Sequence, residues 1–289
     1  MTTNKNTLEH LIHGIFLLMG LVAVGCVLLI TLYLVISGIP AILEIGLIDF
    51  LFGKEWASTA TDPKYGIWAF ILTSIYGTAG AIVIGVPIGF MTAVYLSKIA
   101  SPKVKSMMQS AVSLLAGIPS VVYGLVGMLV LVPGIRKIFG VPDGASLLAA
   151  IIVLAIMILP SIIKMSITAL DAVPKEYEDA SLALGATPIE TYFKVSVPAA
   201  KSGIAAAVVL GVGRAIGEAM AVMMVAGNVP NMPDSIFQSV RFLTTAVSSE
   251  MAYSSGLQQQ ALFSIALVLF LFIMLINATL NFFLKREKE

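Results

Sequence analysis

A chain of 289 residues that is 58% hydrophobic and 11% charged, with a mean hydropathy of +1.00, cannot cover itself with the polar surface a water-soluble protein needs; soluble domains carry about one quarter charged residues. The net charge of +1 supplies no field for nucleic acid. A single cysteine, Cys26, excludes an internal disulfide, and no His/Cys spacing suggests a metal site.

In chain order, residues 1–11 read as a cytoplasmic N-terminus. Polar Met1-Thr2-Thr3-Asn4-Lys5 leads into an apolar run from Leu11 to about Pro40. A secretory apolar region spans only ~7–15 residues, so this run reads as a retained membrane helix over 12–38. An extracytoplasmic loop at 39–66 follows, then a core domain at 67–284 with five more spans, then a cytoplasmic tail at 285–289. A crossing needs ~20 mostly apolar residues, and the six qualifying windows are near 12–36, 67–95, 107–132, 146–163, 204–226 and 261–284. The expected fold is all-α and polytopic, with six transmembrane helices and membrane lipid as its surroundings.

Loop charges orient it. With the N-terminus inside, Lys5, Lys98, Lys103, Lys105, Lys164, Lys175, Lys194, Lys201, Lys285, Arg286 and Lys288 are cytoplasmic. Lys54, Lys64, Arg136, Lys137 and Arg241 are outside, and Arg214 lies within a span. That asymmetry follows the positive-inside rule and puts both termini in the cytoplasm. Trp56 and Trp68 are expected as interfacial aromatics at the outer end of the second span. Pro87, Pro119 and Pro160 interrupt spans; Gly117-Ile118-Pro119-Ser120 either kinks its helix for packing or lines a pathway with unpaired carbonyls. The fourteen methionines read as packing filler.

The inside segment at 171–203 is not linker-like. Pro174 opens a helix through Lys175-Glu176-Tyr177-Glu178-Asp179-Ala180-Ser181-Leu182-Ala183-Leu184, and Gly185 stands where a C-terminal capping glycine belongs. Thr187-Pro188-Ile189-Glu190 then has the pattern of a capping box with proline at the first helical position. The result is a stiff helix–turn–helix elbow, either an amphipathic helix resting on the membrane or a docking knob for a cytoplasmic partner.

The fifth span carries two charges, Arg214 and Glu218, four residues apart and so expected on one helix face. A charge at the bilayer centre costs ~2.5–3.5 kcal/mol on insertion scales, so the two residues either pair with each other or face a central cavity. Arg suits an oxyanion, because its planar fork donates paired hydrogen bonds and stays protonated. Glu218 would hold the guanidinium, or accept a hydrogen bond from a protonated oxyanion, which favours hydrogen phosphate over sulfate. Gly213 and Gly217 form a Gly-x-x-x-Gly pair that permits close helix approach, and Gly211 extends the small surface.

Asp179-Ala180-Ser181, Gly185 six residues after the Asp, and Val195-Ser196-Val197-Pro198 ending thirteen after the Gly resemble the EAA loop of ABC importer permeases. The chain departs from that pattern at Asp for Glu, Ser for the second Ala, and Val for both Ile and Leu, with the spacing intact. The resemblance implies the type I ABC importer permease fold. It also implies that Asp179, Ala180, Ser181, Gly185, Thr187, Pro188 and Glu190 belong to a coupling helix seated on a separate ATPase. Gly213-Arg214-Ala215-Ile216-Gly217-Glu218-Ala219-Met220-Ala221-Val222 and Gly117-Ile118-Pro119-Ser120-Val121-Val122-Tyr123-Gly124-Leu125 resemble the PstC-type permeases of phosphate importers, a likeness extending from about Lys54 onward. It implies a PstA-type permease partner, two PstB-type ATPase subunits and an extracytoplasmic phosphate-binding protein docking on 44–65 and 229–258.

This chain itself is expected to be a transport subunit and not an enzyme, with no catalytic residue and no cofactor of its own. ATP and magnesium would sit on the partner ATPase, since no Gly-x-x-x-x-Gly-Lys-Ser/Thr loop occurs. The expected location is a bacterial or archaeal plasma (inner) membrane. A permease for sulfate, molybdate or phosphonate is the alternative within the superfamily. An ion-coupled secondary transporter would carry an inverted repeat, and an intramembrane enzyme would need a convergent catalytic set; the only histidines are His10 and His13.

Overall fold

The computed structural model describes residues 3–286, all helical apart from one short hairpin and the connecting turns. The ends of the expected N-terminal and C-terminal cytoplasmic segments, at 1–2 and 287–289, lie outside the described residues. Among the described residues, five helices are long and apolar enough to cross a bilayer: 12–45, 68–99, 120–139, 147–171 and 256–279. A sixth apolar element, Lys201–Gly217, is bent by 71° from the segment Pro188–Ala199 before it.

Helix α1 (Thr3–Ile45) runs through Pro40, past the expected boundary, and is followed by the short α2 (Leu47–Phe52). Strands β1 (Trp56–Ala57) and β2 (Lys64–Tyr65) pair antiparallel. Trp56 is not an interfacial aromatic. It is 6% exposed, packs on Tyr65 and Phe70, and donates its indole N–H to the Glu250 carboxylate. Trp68 is half-buried at the start of α3 (Trp68–Val94), which ends in a π-helical turn at Tyr95–Ile99.

The third apolar window does not form one helix. Ser101 caps α4 (Pro102–Gly117) with its hydroxyl on the Val104 N–H, and Pro102 occupies the first helical position. Proline restricts the residue before it to extended backbone, so Pro119 ends α4 at Ile118 (φ −70, ψ 128) and a new helix starts at α5 (Ser120–Val126). This passes through a π turn at Gly127–Leu131 into α6 (Val132–Phe139). The crossing helix is therefore 120–139, displaced from the window at 107–132.

Helix α7 (Leu147–Asp171) is the hub, with most of its residues buried. Helix α3 lies close along it because Gly80, Gly85 and Gly89 face Ile151, Ile158 and Ile162, where a β-carbon would come within 3 Å of the isoleucine side chains. The elbow comprises α8 (Lys175–Ala183), α9 (Pro188–Thr191), a π turn at Tyr192–Ser196 and α10 (Val197–Ala199). Then come α11 (Lys201–Gly217), α12 (Met220–Val225), α13 (Leu243–Glu250) and α14 (Gly256–Arg286), which packs along α1.

A strap at 226–242 closes the N-terminus of α7. The Ser146, Leu147 and Leu148 N–H groups donate to the carbonyls of Val225 (3.0 Å), Gln238 (3.0 Å) and Ile236 (2.7 Å), and Ser146 caps Ala149. Donors that a helix N-terminus leaves orphaned are thus met by the strap. The strap is pinned by Arg241, which donates to the Asn228 carbonyl and pairs with Glu250. Glu250 also accepts from Trp56, Ser58 and Gln258.

Candidate functional site

Two helix interruptions precede a pair of neighbouring helices. The first is the gap between α4 and α5. The second lies between α11 and α12, where Glu218 (φ −74, ψ 129) leaves the helix. Beyond these gaps α5 and α12 run side by side in the same direction. Gly124 lies against Ala221 and Met224, and Gly127 against Val225, each closer than a β-carbon would allow. Broken helices at membrane depth are tolerated when the freed backbone groups are met or line a water-filled cavity. Several polar groups beside the breaks are met here by the chain itself. The Tyr123 hydroxyl donates to the Leu115 carbonyl (2.7 Å), so that carbonyl is not a free pathway ligand. Thr244 Oγ1 donates to the Glu218 carbonyl (2.8 Å), and Glu218 Oε1 accepts from the Ala221 N–H (2.9 Å).

This corrects the expected relation of Arg214 and Glu218. The same-face spacing presumes a continuous helix, and the helix ends at Gly217. Glu218 caps the first turn of α12 and does not hold the guanidinium. Arg214, half-buried in the last turn of α11, makes no hydrogen bond or ion pair among the described residues. Its charge lies within Coulombic reach of the Tyr123 ring on α5. The three glycines divide. Gly211 packs on Ile162 of α7, where a β-carbon would sit 3.1 Å from the side chain. A β-carbon at Gly213 or Gly217 would meet nothing within 4 Å among the described residues, so their pair is not used for packing there.

The elbow has the anticipated local construction. Gly185 adopts φ +88, and the Ala186 N–H reaches back to the Ser181 carbonyl (3.3 Å), the six-to-one bond of a Schellman ending. Thr187 and Glu190 form a reciprocal capping box behind Pro188. Thr187's backbone N–H and hydroxyl, with Lys194, hold the Glu190 carboxyl below its ordinary value. Asp179 and Ala180 are exposed on α8, while Ser181 turns inward to bond Thr191 (2.9 Å), which is fully buried. Tyr177, Leu182, Leu184, Ile189 and Phe193 are exposed, Leu184 at 91%. An apolar surface of this kind on a polar elbow marks a contact face.

What ties the elbow to the bundle was not read from the sequence. Glu178 pairs with Lys98 at the end of α3 (2.6 Å) and accepts from the buried Ser196 hydroxyl (2.8 Å). Burial alone would raise the Glu178 carboxyl, but hydrogen bonds from Lys98 and Ser196 and the charges of Lys98 and Lys175 outweigh it and hold the group below its ordinary value. A second pair, Lys105 with Asp171 (2.8 Å), joins α4 to the end of α7, and Ser97 donates to the same carboxylate (2.6 Å). The one local signal was the position of Lys98 as the first charge after the long neutral stretch from residue 65.

Comparison with known proteins agrees with this architecture. Residues 85–288 match the family described as "Binding-protein-dependent transport system inner membrane component". A Bacillus subtilis (strain 168) protein named "Probable ABC transporter permease protein YqgH" is 41% identical over 266 residues, 89% of this chain and 86% of its own length. The "Phosphate transport system permease protein PstC" of Pasteurella multocida (strain Pm70) is 33% identical over 242 residues, 77% of this chain and 75% of that one. Among solved structures, a MetNI methionine ABC transporter chain in an inward-facing conformation superposes with a TM-score of 0.56 at 22% identity. The match covers 76% of this chain and 94% of that one, a likeness of fold.

Proposed function

Since the chain belongs to the family of binding-protein-dependent transport system inner membrane components, we propose that it is the PstC-type membrane subunit of an ATP-driven importer for inorganic phosphate. Its relatives include permeases of phosphate transport systems. The observation that carries the reading at the site is Arg214, a half-buried guanidinium with no hydrogen-bond or ion-pair partner among the described residues, set where α11 breaks. A cation kept at such depth faces a cavity and marks an ion path, and the guanidinium fork fits a tetrahedral oxyanion. Glu218 Oε2 accepts no hydrogen bond among the described residues, Oε1 alone being used on Ala221. It is available to a protonated oxyanion, hydrogen phosphate, and offers nothing to sulfate.

In this reading Gly213 and Gly217 are left open because a PstA-type permease completes the passage. The elbow around Asp179, Ala180, Ser181, Gly185, Thr187, Pro188 and Glu190 seats on one of two PstB-type ATPase subunits, which hold ATP and magnesium. This chain binds no cofactor and breaks no bond. An extracytoplasmic phosphate-binding protein docks on the outer segments at 44–65 and 229–258. Both termini lie in the cytoplasm of a bacterial or archaeal cell, as the Lys and Arg distribution supports.

The test is Arg214→Gln in the reconstituted four-component importer. Phosphate uptake should fall to background while the complex still assembles and hydrolyses ATP. Uptake at the wild-type rate would remove Arg214 from the path and with it the site described here.

A further inference from the structure

Around α7 the neighbours leave one sector bare. Helix α11 covers the side bearing Ile158 and Ile162, through Gly211 and Ala215. Helix α4 covers the side bearing Ile163 and Ile167, through Val112. At 100° per residue, Ser161, Lys164, Met165 and Thr168 fall between them, and Lys164, Met165 and Thr168 are exposed. Toward the outside the same sector is roofed by α12, whose Ala221 and Val222 share a core with Met157 and Ala150. The bare strip therefore lies directly on the cytoplasmic side of the α11–α12 interruption that carries Arg214 and Glu218.

A cleft of about 280 Å³ opens in this sector, bounded by Gln109 and Ser113 of α4 and by Lys164 and Thr168 of α7. The Lys164 ammonium, the Gln109 amide and the Ser113 hydroxyl have no partner among the described residues. Thr168 bonds the Lys164 carbonyl. No carboxylate lines the cleft. The nearest along α7, Asp171, is one to two turns lower and already occupied by Lys105 and Ser97. Lys164 thus stands seven residues, about 10 Å, above the cytoplasmic end of its helix. It is an uncompensated cation among neutral hydrogen-bond donors. The volume holds a phosphate with several waters, each of which takes about 30 Å³.

We propose that this cleft is a second oxyanion subsite, onto which phosphate passes from Arg214 before it reaches the cytoplasm; this rests on the phosphate-importer reading above. Permeation needs sites that bind well enough to accept the ion and weakly enough to release it. A lone guanidinium in a low-dielectric passage would hold its anion. A lysine is a compact, strongly hydrated point charge, and near the cytoplasmic mouth it offers a shallower well. A net-anionic phospholipid headgroup presents the same chemistry, so the test must separate the two sources.

The assembled importer is reconstituted in phosphatidylcholine vesicles with and without phosphatidylglycerol. Lys164→Gln should lower the maximal phosphate uptake rate about tenfold in both, with the half-saturating concentration of loaded binding protein unchanged, and Lys164→Arg should restore most of the rate. In a Cys26→Ser background, inorganic phosphate should slow thiol labelling of Ser113→Cys when Lys164 is present and not when it is Gln. A rate loss confined to phosphatidylglycerol vesicles would assign Lys164 to lipid and overturn the proposal. So would wild-type uptake by the Lys164→Gln complex, or labelling that phosphate never slows. If Lys164→Gln fails to assemble, phosphate protection of the Ser113→Cys thiol beside native Lys164 decides alone. A wild-type complex that moves no phosphate would instead refute the importer reading, while the labelling, which needs no turnover, would still decide whether the cleft takes an oxyanion.

Discussion

Replacing Glu178 by Gln removes the charge that fastens the elbow to α3 while keeping the side chain's shape. The Lys98 and Glu178 side chains are 10% and 18% exposed. Deleting one partner of a fully buried pair costs 3–5 kcal/mol, and an exposed pair is worth only 0–1 kcal/mol. The glutamine retains an acceptor for Ser196, whose hydroxyl sits 2.8 Å from the native carboxylate. A local cost of about 2 kcal/mol results, enough to raise opening of the elbow about 30-fold. Hydrogen exchange on the assembled complex should show α8 amides exchanging faster by that factor, with α3 and α7 unchanged. The charge-swapped pair Lys98→Glu with Glu178→Lys should recover most of the protection. Because the folded Glu178 carboxyl lies below its ordinary value, its contribution is fully present above the ordinary carboxylate range and is lost as pH falls through the folded value. The gap between wild type and Glu178→Gln should therefore be constant near neutrality and close in acid. Exchange in α8 that ignores the substitution at neutral pH would refute the fastening role.

Two further perturbations act on backbone geometry. Gly185→Ala meets no atom within 4 Å but forces a β-carbon into the φ +88 turn, so it should weaken the Schellman ending by about 1–2 kcal/mol. Circular dichroism of the assembled chain should barely change, while the ATP hydrolysed per phosphate transported rises; an unaltered ratio would count against a stiff elbow. Gly227→Ala adds strain at φ +86 to a β-carbon that would stand 1.6 Å from Ser239 Oγ. It should lower the thermal midpoint of the purified chain by several degrees, far more than Gly213→Ala, which meets open space.

The elbow was legible because its determinants are local. Pro174, Gly185 and Thr187-Pro188-Ile189-Glu190 act within a turn or two, and the structure builds the turn and box they specify. The displaced third span was legible in principle, since Ser101-Pro102 is a helix start and Pro119 a helix stop, but a hydropathy window averages across both. The separation of Arg214 from Glu218 was hidden because i,i+4 spacing carries no sign of the break that Thr244, 26 residues on, helps to hold. Trp56 misled for the same reason. Its acceptor, Glu250, is 194 residues away, and only the fold converts an interfacial residue type into an interior one. Lys98 and Glu178 were two more charges in polar segments until folding brought them together.

The strap over the N-terminus of α7 limits how that end can move. Three amides of the helix terminus are bonded to Val225, Gln238 and Ile236, so fraying of the terminus requires the strap to let go of those donors as well. Strap and helix terminus are thereby tied together at one end of α7, while Asp171 at its other end is tied to α4 through Lys105, so a displacement of residues 229–236 acts on a helix anchored at both ends.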